Sequence, residues 1–232
     1  MQKAKLIKKT ELAPGVFELN FQTENLFEFI PGQYVSIKIN DKKSSVPCFR
    51  AYSISSTPNE NHFELCVKTV ENGRGSTWLS GLGEGSEIEF MGPLGDFTLK
   101  DDGASALLFL AVGIGITPLK SIVESALNKN SKKTMHLFFG VRYIKDIFYK
   151  DFFEALEKAH LNFKFTFMLS RPESPAWQGP KGHITDLLKD LAIDPQKTSA
   201  YICGMNQMIK DTEKTLIEKG VPAQRIYFEK FD

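Results

Sequence analysis

The apolar residues of this chain change their spacing near residue 102, and that change rules out one uniform layer architecture. From Lys3 to about Lys100 the chain reads as short alternating runs. Val16-Phe17-Glu18-Leu19-Asn20-Phe21, Tyr34-Val35-Ser36-Ile37-Lys38-Ile39, Phe63-Glu64-Leu65-Cys66-Val67-Lys68 and Glu87-Ile88-Glu89-Phe90 each place apolar groups at every second position. Pro14-Gly15, Pro31-Gly32, Asn40-Asp41 and Gly92-Pro93 punctuate them. This spacing predicts an antiparallel β-barrel over residues 1–101, interrupted by a helix from Thr77 to Leu82 with Ser76 as its cap.

After Asp101-Asp102-Gly103, strand-like and helical segments alternate. Ala106 to Val112 is a continuous apolar run, and Thr117 to Asn128 repeats apolar residues with helical spacing. Strands are expected at Met135–Gly140, Phe163–Leu169, Ala200–Cys203 and Arg225–Phe231. Helices are expected at Phe148–His160, Thr185–Leu191 and Asn206–Lys219. The alternation predicts a second domain over 102–232, an α/β fold with a parallel sheet and helices on both faces.

Composition narrows the function classes. In 232 residues, 29 basic side chains balance 28 acidic ones, so no net field draws the chain to nucleic acid or to an anionic membrane. Cys48, Cys66 and Cys203 are far apart and form no Cys-x-x-Cys pair, which suggests neither a disulfide framework nor a zinc site. The N-terminal residues lack the apolar core of a signal peptide, and no run reaches the roughly 20 apolar residues that span a bilayer. A cytoplasmic protein without membrane insertion is the expectation.

Four segments could carry chemistry. Val112-Gly113-Ile114-Gly115-Ile116-Thr117-Pro118 joins the first strand of the second domain to its first helix. Glycines there let the backbone approach a pyrophosphate, and a helix N-terminus presents free N–H groups to an anion. A third glycine is missing, and Gly-x-Gly alone also suits any tight strand-to-helix turn. Gly73-Arg74-Gly75-Ser76 combines flexible backbone, a cation and a hydroxyl at a helix start, as a phosphate site or an ordinary serine cap would. In Arg50-Ala51-Tyr52-Ser53, extended alternation puts Arg50 and Tyr52 on one face, where a guanidinium can grip phosphate while a phenol ring lies on a heterocycle. An exposed Arg-Tyr pair on a plain strand has the same pattern. Cys203-Gly204 ends an apolar strand, at the edge where open sheets bind ligands, although cysteines in such strands are usually inert core residues.

Taken in order, these segments and the terminal Glu229-Lys230-Phe231 resemble the ferredoxin-NADP reductase-like flavoprotein family from about Leu6 to Phe231. The resemblance implies FAD in the barrel and NADH or NADPH on the α/β domain. It assigns Arg50 to flavin phosphate, Tyr52 to stacking on the isoalloxazine, Ser53 to the flavin N5 region, and Ala51, Val67, Lys68 and Thr117 to the flavin surroundings. Gly73, Arg74, Gly75 and Ser76 would bind the FAD pyrophosphate. Gly113, Gly115, Thr117, Pro118, Arg142, Arg171, Cys203 and Gly204 would bind the nicotinamide nucleotide. Ser53, Cys203 and Glu229 would shape the reacting edge, and Phe231 would cover the flavin.

The implied activity is hydride transfer from NAD(P)H to FAD, followed by electron transfer to a separate acceptor such as ferredoxin, flavodoxin or an oxygenase or desaturase component. The Cys-x4-Cys-x2-Cys pattern of a fused plant-type iron-sulfur domain is absent from the sequence. Arg142, Lys145 and Arg171 could grip a 2′-phosphate, but the Gly-Val-Arg run ending in Asp-Ile-Phe-Tyr resembles NADH-using relatives and tips the expectation to NADH. A free-flavin reductase and a redox-inactive nucleotide-binding or regulatory module are the alternatives. Tight FAD retention and a flavin spectrum, respectively, would exclude them.

Overall fold

The computed structural model describes residues 1–41, 46, 48–175 and 177–231. The chain divides into two compact units, Met1–Leu99 together with Lys120–Ser125, and Lys100–Leu119 together with Ala126–Asp232.

The first unit holds one six-stranded antiparallel sheet. Its strands are β1 (Gln2–Ala13), β2 (Val16–Thr23), β3 (Tyr34–Ile39), β4 (Cys48–Ser53), β5 (His62–Lys68) and β6 (Glu87–Leu94), in the order β4-β3-β6-β1-β2-β5. The alternating residues read from the sequence point inward: Leu6, Leu19, Phe21, Val35, Ile37, Phe63, Leu65, Ile88 and Phe90 are all buried. Phe63 anchors this interior, stacked on Phe21 at 5.4 Å and tilted against Phe27 at 5.2 Å. Among the described residues, the two end strands meet through one bridge, Ile54 to Leu65, backed by the Ser55 N–H donating to the Glu64 carbonyl at 2.8 Å. That bridge closes the sheet into a barrel.

Two local expectations are corrected. β6 does not stop at Gly92-Pro93 but runs through it to Leu94, because the strand passes from pairing with β1 to pairing with β3 across a register shift. A proline is tolerated at such an irregularity. The barrel helix α1 spans Arg74–Ser80, three residues earlier than expected, with Gly73 as its N-cap. Ser76 therefore lies inside the helix and does not cap it.

The second unit is a five-stranded parallel sheet made of β7 (Ala106–Val112), β8 (Thr134–Val141), β9 (Phe163–Leu169), β10 (Thr198–Gly204) and β11 (Ile226–Lys230), in the order β11-β10-β7-β8-β9. Its helices are α2 (Ile116–Asn128), α3 (Lys150–Ala159), α4 (Ile184–Asp190) and α5 (Asn206–Glu218). Leu108, Leu110, Phe138, Ala200 and Ile202 form one face of the sheet and pack against Ile184 and Leu188 of α4 and Ile209 and Leu216 of α5. On the other face Phe153 of α3 stacks on Phe165 at 5.1 Å. Helix α3 starts two residues later than expected, since Tyr149 takes a left-handed φ of 57° and turns the chain into its first residue.

The middle of α2 belongs to the first unit. Lys120 is buried, its Nζ donating to the Ser55 carbonyl at 3.2 Å and lying 3.4 Å from Glu64, and Ser121 Oγ donates to the Ser56 carbonyl at 2.5 Å. Helical spacing makes the Lys120–Glu124 pair legible in sequence. The partners 56 and 65 residues away are not.

Candidate functional site

In the barrel unit, β4 stands at one end of the strand order and, among the described residues, meets β5 at the Ile54–Leu65 bridge, so the stretch Cys48–Tyr52 is a sheet edge. Arg50 and Ala51 are exposed there, Tyr52 is half-buried and Ser53 is buried. The start of α1 lies against this edge. A Cβ built on Gly75 would stand 2.6 Å from Tyr52 Oη and 2.9 Å from Arg50 Cγ, so only glycine lets the helix backbone rest on both side chains. A Cβ on Gly73 would stand 2.6 Å from Ser76 Oγ. Arg50, Tyr52, Gly73, Gly75 and Ser76, scattered over 27 positions of sequence, are thus brought together.

Their individual chemistry differs from a simple list of ligands. Ser76 Oγ accepts from the Val70 N–H at 3.1 Å and donates to the Gly73 carbonyl at 3.3 Å, so the hydroxyl braces the turn that presents the glycines. The Arg74 guanidinium makes a bidentate pair with Asp41, at 2.6 Å from Nε and 2.8 Å from Nη2. Sequence reasoning missed Asp41, because nothing local marks a contact across 33 positions. Val67 is buried in the barrel interior and can offer a ligand only backbone, whereas Lys68 is exposed at the end of β5. Burial pushes the Tyr52 phenol up to about 12, against the opposing pull of the Arg50 charge, so it stays protonated and its ring remains a neutral flat surface. A cation and a neutral aromatic face beside a half-buried glycine turn suit a flat heterocycle carrying phosphates, as FAD does.

In the α/β unit the sheet reverses its build direction between β7 and β10, and ligands of open α/β sheets bind at the carboxyl ends of the strands beside such a switch. The residues expected in nucleotide binding gather there. Gly113–Gly115 forms a 3-10 turn after β7, with Gly113 at φ 52° and open space where a Cβ would point. A Cβ on Gly115 would collide with the Cys203 carbonyl, which makes the turn and the end of β10 one surface. A Cβ on Gly204 would come within 2.5 Å of Val112 Cγ2. Glu229 is the register partner of Cys203, and the Phe231 N–H donates to the Gly204 carbonyl at 3.1 Å, fixing the chain end to the same edge. Asp232 lies outside the described residues.

Cys203 is fully buried, and burial together with the Glu229 charge pushes its thiol well above the usual range. It is a neutral S–H and not a thiolate nucleophile. Thr117 is buried with its hydroxyl donating to the Ile114 carbonyl at 2.7 Å, and Pro118 sits in the first turn of α2, where a missing N–H costs nothing. Both shape the loop. Arg142 and Arg171 follow β8 and β9, are exposed, and share one edge through the Arg171 N–H donating to the Arg142 carbonyl at 2.9 Å. Among the described residues no cluster of His, Cys, Asp and Glu could hold a metal, and no helix is long and apolar enough to cross a membrane.

An antiparallel sheet with a phosphate-ready edge, followed in the chain by a parallel sheet with a glycine turn at its switch point, defines a flavin- and nicotinamide-dependent oxidoreductase module. The known proteins agree. A family model described as an oxidoreductase FAD-binding domain matches residues 3–99, and one described as an oxidoreductase NAD-binding domain matches residues 109–214. The chain is 34% identical over 240 residues to ferredoxin–NADP reductase B of Sorangium cellulosum (strain So ce56), covering 99% of this chain and 97% of that protein. It is 30% identical to the phenol 2-monooxygenase reductase component DmpP of Pseudomonas sp. (strain CF600), covering 95% of this chain but 63% of that protein. Among solved structures, the Amycolatopsis cytochrome P450 reductase GcoB superposes with a TM-score of 0.89 at 26% identity, covering 99% of this chain and 69% of that one. The chain belongs to the ferredoxin-NADP reductase-like flavoprotein family, and it is an FAD-dependent NAD(P)H oxidoreductase.

Proposed function

We propose that this protein takes reducing equivalents from NADH, holds them on FAD and delivers them to a separate electron-acceptor protein, a ferredoxin or an oxygenase component. The observation that carries the flavin half is the convergence of Arg50, Tyr52 and Gly75 on the free edge of β4. Bound there, FAD supplies the step between two-electron donors and one-electron acceptors. Arg50 neutralises phosphate, Tyr52 offers a neutral ring for stacking, and Ser53 presents a hydroxyl at the buried end of the strand.

On the α/β unit, the glycine turn at 113–115 and the β10 terminus at Cys203-Gly204 form the nucleotide cradle. Cys203 and Glu229 supply a neutral thiol and a carboxylate at its edge, while Arg142 and Arg171 offer charge to the distal phosphates. Support for NADH comes from Asp146, whose carboxylate is pinned in the loop after β8 by the Tyr143 N–H at 3.2 Å. A fixed negative charge in that loop disfavours a 2′-phosphate. Lys145, a cation of the same loop, lies over the Tyr143 ring at 5.5 Å. Supply of electrons to an acceptor protein follows the names of the relatives, a ferredoxin reductase over nearly its full length and oxygenase reductases over about two thirds or less.

The test is a visible spectrum of the purified chain, anaerobic reduction by each nucleotide in turn, and a screen of one-electron acceptor proteins. A protein that neither retains nor regains FAD overturns the reading. Equal or faster reduction by NADPH overturns the coenzyme preference alone.

A further inference from the structure

The opposite end of the parallel sheet, far along the strands from the glycine turn, carries a cleft of about 460 Å³. It exists because α4 is only seven residues long. The helix ends at Asp190, and the chain from Leu191 to Lys197 then runs on without covering the amino ends of β7, β8 and β9. A parallel sheet is ordinarily covered by helices on both faces. Here Ala106 and Leu108 line the cleft as apolar floor, Leu191 and Ile193 form its facing wall, and Leu161 at the rim is fully exposed.

Polar groups converge on this apolar floor. Leu108, His136 and Lys164 are register partners in adjacent parallel strands, so their side chains stand in one row on one face. His136 Nε2 is 2.8 Å from Thr166 Oγ1, and Nδ1 has no partner among the described residues. Donor and acceptor roles in this pair depend on the tautomer; in the one with the proton on Nδ1, the Thr166 hydroxyl donates to Nε2 and the Nδ1–H is left for an acceptor. The Lys164 side chain makes no ion pair or hydrogen bond among the described residues, while the cleft's one carboxylate, Asp194, is already matched by Lys197 at 3.2 Å. The cleft therefore has one unmatched positive charge, one neutral donor and an apolar floor. The volume lies within the range of small-molecule sites.

We propose that this cleft binds a small monocarboxylate with an apolar body, its carboxylate held by Lys164 and His136 and its apolar part laid on Leu108 and Ile193. A dianion such as phosphate is a poor match, because among the described residues Lys164 is the one lining cation not already paired with a carboxylate. The proposal does not rest on the redox reading and concerns only the α/β unit.

Benzoate is a suitable probe, titrated into the purified full-length protein while the imidazole resonances are followed by NMR and the heat by calorimetry. Saturable binding that moves the His136 resonances is expected, with benzyl alcohol, which lacks the charge, binding far more weakly. Lys164 is exposed, so Lys164→Gln should fold normally, keep its flavin content and weaken benzoate roughly tenfold or more, as loss of a charge-assisted contact does. Absence of a saturable His136 shift, an undiminished affinity in Lys164→Gln, or equal binding of benzyl alcohol or inorganic phosphate would overturn the assignment.

Discussion

Gly75 sits so close to Tyr52 that a single added methyl would stand 2.6 Å from the phenolic oxygen. This contact ties the first turn of α1 to the free edge of β4, and it separates stability from ligand binding. Gly75 is a helical residue with no left-handed φ, so Gly75→Ala should by itself favour the helix by about 1 kcal/mol. The methyl must nevertheless displace Tyr52 and Arg50. The variant is expected to keep a near-normal melting temperature while losing FAD on gel filtration. Arg50→Ala, which removes a charge-assisted contact worth about 2 kcal/mol, should raise the FAD dissociation constant roughly thirtyfold. Unchanged flavin retention in both variants would place the phosphates elsewhere.

Cys203 is held as a neutral thiol by burial and by the Glu229 carboxylate in register beside it. Cys203 should therefore resist alkylation by iodoacetamide at neutral pH unless the protein is unfolded. Cys203→Ala is expected to slow flavin reduction by the nucleotide in stopped flow without altering FAD content. A mutant that reduces at the wild-type rate would remove Cys203 from the reacting edge.

Phe231 is fixed at the end of β10 by its N–H bond to Gly204. For the ring-covering role implied by the family resemblance, Phe231→Ser should shift the visible flavin bands and tighten nucleotide binding by about fivefold, since aromatic stacking is worth about 1 kcal/mol. Truncation after Glu229 should do the same. If spectrum and affinity both stay as in the intact chain, the aromatic has no such role.

Burial and the Lys164 charge hold the His136 imidazolium pKa down to about 4, from an ordinary 6.5. In the unfolded chain the ring takes up a proton as pH falls below 6.5, whereas the folded chain resists until about 4, so the unfolded state binds more protons in that window. This contribution to stability is fully present above pH 6.5 and is lost as pH falls to 4. Because the ring is partly solvated, the effect should be smaller than the roughly 3 kcal/mol that such a shift would give without screening. Denaturant melts of His136→Gln between those pH values should show a flatter pH dependence than wild type. Parallel curves would mean that the imidazole titrates normally.

The two architectures and the order of the motifs are legible in the amino-acid sequence alone. Apolar period, turn residues and strand-to-helix junctions are local properties, written within a few residues of one another, and they suffice to separate a barrel from a parallel sheet and to locate Arg50–Ser53, Gly73–Ser76, Gly113–Pro118 and Cys203-Gly204. Only the tertiary structure decided what each side chain is free to do. It committed Arg74 to Asp41, turned Ser76 from a cap into a brace, buried Val67, and set Glu229 beside Cys203. It also left the amino end of one sheet face open beyond a short helix. Strand order and long-range pairing decide these matters, and they join residues tens of positions apart through packing and hydrogen bonds that no local pattern encodes.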